Sequence, residues 1–213
     1  MSTILLRVPA PLPRRWLPSS YLVEIGGLSG FPEEISRSMD DIRKIIAMCG
    51  SFLTVRDNQI YLVHQSVKDY LCEQASILLF PYGAAMAHYH ISNRSLKLLS
   101  DRLQRDIYGL CAPGFHINQL RVPDPDPLAT VRYSCVYWVD HLHDWQSSDN
   151  SNHPDIFQDG GIIDNFLRQH YLHWLEALSL CKSMSQGIFS MAKLEILLQV
   201  STSRQCYLII KQF

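Results

Sequence analysis

The chain has 213 residues, 47% of them apolar and 18% charged, with 19 Lys plus Arg against 20 Asp plus Glu. That length accommodates one domain or two small ones. The near-neutral balance, formally −1, excludes a surface dominated by phosphate contacts, which needs an excess of Lys and Arg.

No apolar run approaches the roughly 18 to 20 residues needed to cross a bilayer. The N-terminal apolar stretch at Ile4 is cut by Arg7 and followed by prolines, so no signal peptide is expected, and the expected location is cytoplasmic. Six cysteines (Cys49, Cys72, Cys111, Cys135, Cys181, Cys206) lie tens of residues apart without a CxxC pair. They read as reduced thiols, several in helix cores, rather than as disulfides or metal ligands. The sequence holds no GxxxxGK[ST], GxGxxG or HExxH pattern, so no cofactor and no enzymatic activity are expected.

In chain order, residues 1–23 include Pro9, Pro11, Pro13 and Pro18 and no helical or strand period, so they form an extended or disordered lead-in. Pro32 can open a helix, with Glu33 and Glu34 opposing the positive helix end. Asp40 and Asp41 open a second helix carrying Ile42, Ile45, Ile46 and Cys49 at three-and-four spacing, and Gly50 stops it. Two β-prone runs at 52–56 and 59–64, joined across Asp57 and Asn58, predict a hairpin, because Asp and Asn tolerate the left-handed backbone of a tight turn. The segment QSVKDYLCEQA then predicts a helix with Val67, Tyr70 and Leu71 on one face. Helix, helix, hairpin, helix is the order of a winged-helix unit, expected over 24–80, with the hairpin as its wing.

A helical domain is expected over 81–199. One helix over 84–103 carries Ala87, Ile91, Ser95, Leu98 and Leu99 along one side. A loop over 107–127 contains Pro113, Gly114 and the run PDPDP, which cannot be helix interior. A second helix over 128–145 has Leu128, Val131, Cys135, Val139 and Leu142 in phase. After a polar loop over 147–161, a third over 163–182 repeats the period through Phe166, Leu167, His170, Trp174, Leu178 and Cys181. A last helix is expected over 190–199, with residues 200–213 unassigned. The fold class is therefore mainly α, a winged-helix unit with a small β-hairpin followed by a helical domain.

Candidate chemistry is sparse. Nine histidines include three close pairs, His88 with His90, His141 with His143, and His170 with His173. Only the last spacing puts both rings on one helix face, and no nearby acid completes a zinc set, so no metal site is expected. Two SxxK strings, at Ser179 and Ser190, lack the SDN and KTG partners of serine acyl-enzymes. Gly26, Gly27 and Gly30 lack the Lys and Ser or Thr that a phosphate loop requires. Asn93-Arg94-Ser95 is a formal glycosylation sequon inside an expected helix.

A winged helix is often a DNA reader, but residues 31–75 carry five bases against seven acids, a net of −2. The helix before the wing opens on two aspartates, where a groove-reading helix needs Arg, Asn or Gln. A stand-alone winged-helix DNA-binding protein is therefore the alternative reading, and nucleic acid is not an expected partner. His64, at the end of the second wing strand and beside a helix start, has two readings. It caps backbone groups there, or its imidazole contacts a phosphate presented by a neighbouring domain.

The runs CGSFLTVRDNQIYLVHQSVKDYL, DPDPLATVRYSCVYWVDHL and FLRQHYLHWLEALSLCKSMSQGI resemble the region just after the nucleotide-binding module of fungal NACHT proteins, the NOD-like, vegetative-incompatibility type of STAND signal-transduction ATPases. The resemblance covers residues 30–199. In that family a NACHT ATPase is followed by a winged helix and a helical connector, then by ankyrin or WD40 sensor repeats. The resemblance implies a signalling switch working by protein–protein interaction, with a NACHT module in trans as the partner of this chain. A histidine in a Met-His-Asp-like motif contacts ADP phosphates in the wider family, and Val63-His64-Gln65 is similar in place and context. That implies a nucleotide-phosphate sensor at His64 that acts only when a NACHT domain is present. Gln65 departs from the acidic residue. The P-loop and the magnesium-binding acids have no counterpart in this sequence, so the expected function is that of a non-catalytic regulatory or interaction fragment, an excised middle piece lacking the ATPase and the sensor repeats.

Overall fold

A computed structural model describes residues 44, 47–48, 50, 52–56, 59–64, 66–67, 69–70, 74, 83–111, 114–148 and 156–200. The lead-in expected over 1–23, the helix expected at Pro32, the turn residues Asp57 and Asn58, and the tail over 201–213 lie outside the described residues. The chain divides into two compact units, Met1–Ile91 and Ser92–Phe213. Among the described residues the fold is mainly α-helical, as expected, while most of the winged-helix unit expected over 24–80 lies outside the described residues.

In the first unit, β1 (Leu53–Arg56) pairs antiparallel with β2 (Gln59–Leu62), Leu53 opposite Leu62 and Arg56 opposite Gln59. The Val63 N–H extends the ladder to the Phe52 carbonyl at 2.9 Å. Helix α1 (Gly83–Arg102) starts within this unit and continues past Ile91.

The second unit is a helical assembly of α2 (Arg132–Ser148), α3 (Ile162–Leu180) and α4 (Met184–Val200), each packed against the other two. Every apolar residue expected in phase on α2 and just before it is buried: Leu128, Val131, Cys135, Val139 and Leu142. On α3 the same holds for Phe166, Leu167, Trp174 and Leu178, while His170 and Cys181 sit only half-buried at the edge of the stripe. The centre is aromatic. Trp138 meets Trp174 edge-on with ring centroids 5.4 Å apart, and Phe166 edge-on at 5.6 Å. Trp174 also donates its indole N–H to the Cys135 carbonyl at 2.8 Å, which places a polar atom of a fully buried ring on a backbone acceptor of α2.

Two boundaries differ from those expected. Helix α2 starts at Arg132 rather than at 128, because Pro127 and the short Ala129-to-Asp126 and Val131-to-Leu128 backbone bonds close tight turns before the α pattern begins. Helix α4 starts at Met184 rather than at 190, so it includes Gly187, a residue that reads locally as a helix breaker. A Cβ at Gly187 would sit 2.7 Å from Leu178 Cδ1, so the glycine lets α4 approach α3. The reversal between α3 and α4 is a Schellman turn. The Ser183 N–H returns to the Leu178 carbonyl and the Lys182 N–H to Ser179, with Lys182 left-handed at φ 55°.

These contacts generate two predictions. Trp174→Ala removes the largest shared side chain of α2 and α3 and is expected to cost about 3–5 kcal/mol in urea unfolding. Gly187→Val is expected to destabilise by about 1–3 kcal/mol, since Leu178 is fully buried and has nowhere to yield.

Candidate functional site

His64 is exposed and lies directly after β2 and Val63. Its carbonyl accepts the Val67 N–H at 3.1 Å, and Ser66, Val67, Asp69 and Tyr70 hold helical backbone. The residue therefore stands between a strand end and a helical turn, with its side chain facing solvent rather than packed in a core. Phe52, Val63 and Tyr70 are also exposed in this stretch.

The histidine pairs separate. His141 is fully buried and shares a 2.6 Å hydrogen bond with the Tyr133 hydroxyl, a hydrogen-bonded core histidine. His143 lies 3.6 Å from Asp144 on the half-exposed side of α2. His170 and His173 meet edge-on at 5.7 Å on α3, as their spacing predicts. Burial, and then the neighbouring His173, hold His170 below the usual imidazole value, against the opposing pull of a hydrogen bond to the Leu103 backbone. Among the described residues no group of three or more His, Cys, Asp or Glu is placed to hold a metal ion. Of the cysteines in the described residues, Cys135 is buried in the core, Cys181 is half-buried and Cys111 is exposed in a loop, and none of the three is in a disulfide.

A densely bonded polar group lies where the sequence shows only a proline-broken loop. Asp126, inside PDPDP, accepts the Tyr108 hydroxyl at 2.8 Å, the Leu128 N–H at 2.9 Å and Arg132 Nη2 at 2.6 Å. Upstream, the Asp106 carboxylate accepts the N–H groups of Leu110 and Cys111, while its own N–H donates to Glu176 on α3. The loop is thereby tied at one end to α3 and at the other to the first turn of α2. Burial raises the Asp126 carboxyl, but the bonds from Arg132, Tyr108 and Leu128 outweigh it and hold it below the ordinary carboxylate value. Burial and then the bond to Asp126 push the Tyr108 phenol well above its usual value, so it stays a donor. With three donors committed to it, this carboxylate acts as a clamp on the loop. No motif reveals it; the only signal was an acid placed six residues before Arg132.

The surface carries a second feature. Helix α4 exposes Ile188, Phe189 and Ile196, at 61%, 70% and 59% exposure, on the side opposite buried Gly187, Ser190, Leu194, Leu197 and Leu198. No helix among the described residues is long and apolar enough to cross a membrane.

The clamp yields a pH-dependent expectation. Because the native state favours ionised Asp126, its contribution is present above the ordinary value of 3.8 and is lost as pH falls through the lower native value. Asp126→Asn is expected to lower stability by about 1.5–3 kcal/mol at neutral pH. The gap between parent and variant should begin to narrow in urea titrations below pH 3.8 and close only below the lower native value.

No protein-family model matches the chain. No solved structure matches it either. The chain is similar to the vegetative incompatibility protein HET-E-1 of Podospora anserina, with 46% identity over 189 residues, which covers 83% of this chain. The matched stretch is 14% of the relative's length. The likeness therefore covers most of this chain and one short segment of a much longer vegetative incompatibility protein.

Proposed function

We propose that the chain is a non-catalytic regulatory and interaction segment of a fungal NACHT-type signalling receptor, built from a winged-helix unit over 24–80 and a helical domain over 81–199. The observation that carries this reading is the 46% identity to a vegetative incompatibility protein of which the matched stretch is 14%. A segment of that size in a larger receptor works by packing against its neighbours. The tightly held helices α2 to α4 supply a rigid body for that purpose.

The winged-helix part of the proposal draws on the antiparallel pairing of β1 with β2 and the helical backbone at Ser66–Val67 and Asp69–Tyr70 that follows. His64, between them and exposed, is the proposed contact to the phosphates of a nucleotide held by a NACHT ATPase module supplied in trans. An imidazole at a helix start is suited to that contact, because the unsatisfied N–H groups there already favour an anion.

The expected result is that the purified chain binds neither ATP nor ADP in calorimetry, yet binds a fungal NACHT module loaded with ADP. His64→Ala should accelerate ADP release from that module several-fold while leaving the circular dichroism of the chain unchanged. Tight nucleotide binding by the chain alone would overturn the reading. Loss of helical signal in the variant would assign His64 a capping role instead. Salt-dependent retardation of duplex DNA at physiological ionic strength would favour the DNA-binding alternative.

A further inference from the structure

Helix α4 is apolar on both sides. Its inner side packs on α2 and α3 through Leu194, Leu197 and Leu198. On its outer side Ile188, Ala192 and Ile196 recur every four residues and are all exposed, with exposed Phe189 beside the first of them. Residues four apart form one continuous ridge on a helix surface, so these three side chains stand in line along the open side.

The groups around the ridge limit what can cover it. The charges that flank it are engaged within the chain: Lys193 Nζ donates to Asp140 on α2, and Glu195 accepts the side-chain amide of Gln199. Its ends, at Ser185 and Gln199, are polar and uncharged. A partner selected by charge finds nothing here to read, so the matching surface is apolar and shaped to a ridge. The ridge is also symmetric about Ala192, with one isoleucine a turn before it and another a turn after it. Set antiparallel against itself, it places Ala192 on Ala192, Ile188 on Ile196 and Ser185 on Gln199, like against like at each step, and lays Phe189 over the stem of Glu195. The small central alanine lets two backbones approach, which suits the interlocking of two such ridges at a crossing angle of about −50°.

We propose that the outer side of α4 docks a second copy of this chain, the two ridges crossing antiparallel about a two-fold axis at Ala192. The area sets the strength. The exposed parts of Ile188, Phe189, Ala192 and Ile196 amount to on the order of 400 Å² per copy, or about 800 Å² in the pair, below the roughly 1,200 Å² of a stable interface. The dimer is therefore weak, absent in dilute solution and populated where copies are concentrated. It needs neither nucleotide nor a NACHT module, so it stands apart from the role proposed for His64.

The test is sedimentation velocity of the full chain between about 5 and 500 µM, across which the parent should pass from monomer to dimer. Ile188→Glu and Ile196→Lys, each at an exposed site, should each raise the dissociation constant at least about tenfold, because the new charge is pressed against isoleucine of the second copy. The double variant Ile188→Glu/Ile196→Lys should recover most of that loss, since each Glu then meets a Lys of the other copy. Within one helix the two lie about 12 Å apart along the axis and do not pair. Ala192→Cys, a small change at an exposed site that keeps the test valid if a charged variant misfolds, should give a covalent dimer joined through residue 192 under mild oxidation. A parent chain that stays monomeric at 500 µM would overturn the proposal. So would a dimer that both single variants leave intact, or one that the double variant does not restore.

Discussion

The hydrogen bond from the Trp174 indole to the Cys135 carbonyl, inside the edge-to-face contacts of Trp174, Trp138 and Phe166, is the interaction on which the helical unit depends. Burying an indole costs less when its N–H finds an acceptor, as that of Trp174 does, whereas the Trp138 Nε1 beside it is buried without one. For Trp174 the acceptor and the ring edges both come from α2. That fixes how these helices face one another and which sides remain for α4. The Tyr171 hydroxyl reaching Met191 Sδ at 3.6 Å and Lys193 Nζ on Asp140 at 2.5 Å then attach α4 to the same pair.

Around this centre the polar groups hold connections in place. Asp164, almost fully buried in the first turn of α3, accepts the Gly160 N–H and pairs with Arg168 one turn on. That arrangement satisfies a helix start whose N-cap, Gly161, has no side chain to do so. Asp126 plays the equivalent part for α2, and the left-handed Lys182 for the end of α3. Each connection is thus closed by one residue that satisfies backbone donors or acceptors, and the reversal at Lys182 brings α4 close enough to require glycine at 187. A body closed in this way presents its surface residues at fixed positions without an ordering cost on each encounter, which suits the interaction role proposed above.

Most of the helical core was legible in the sequence. The three-and-four spacing of Leu128, Val131, Cys135, Val139 and Leu142 named buried residues of α2 and the turn before it, and on α3 Phe166, Leu167, Trp174 and Leu178 are buried while His170 and Cys181 of the same expected stripe are only half-buried. The burial of His141 against the Tyr133 hydroxyl was not assigned from the sequence. The Asp126 clamp was not legible, because its partners Tyr108 and Arg132 lie 18 and 6 residues away and no local pattern links them. The start of α4 was hidden for a related reason. Gly187 lowers local helix propensity, and the compensation comes from Leu178 across the turn.

By itself the sequence determined the helical character of the described helices, most of their inward sides, the proline-broken loop and the likeness to a fungal vegetative incompatibility protein, since each is written in periodicity, composition or long specific strings. Only the tertiary structure decided which polar residues became clamps, where α2 and α4 begin, and that one side of α4 stays apolar and uncovered. Those outcomes depend on groups distant in sequence meeting in space, where packing and desolvation override local propensity.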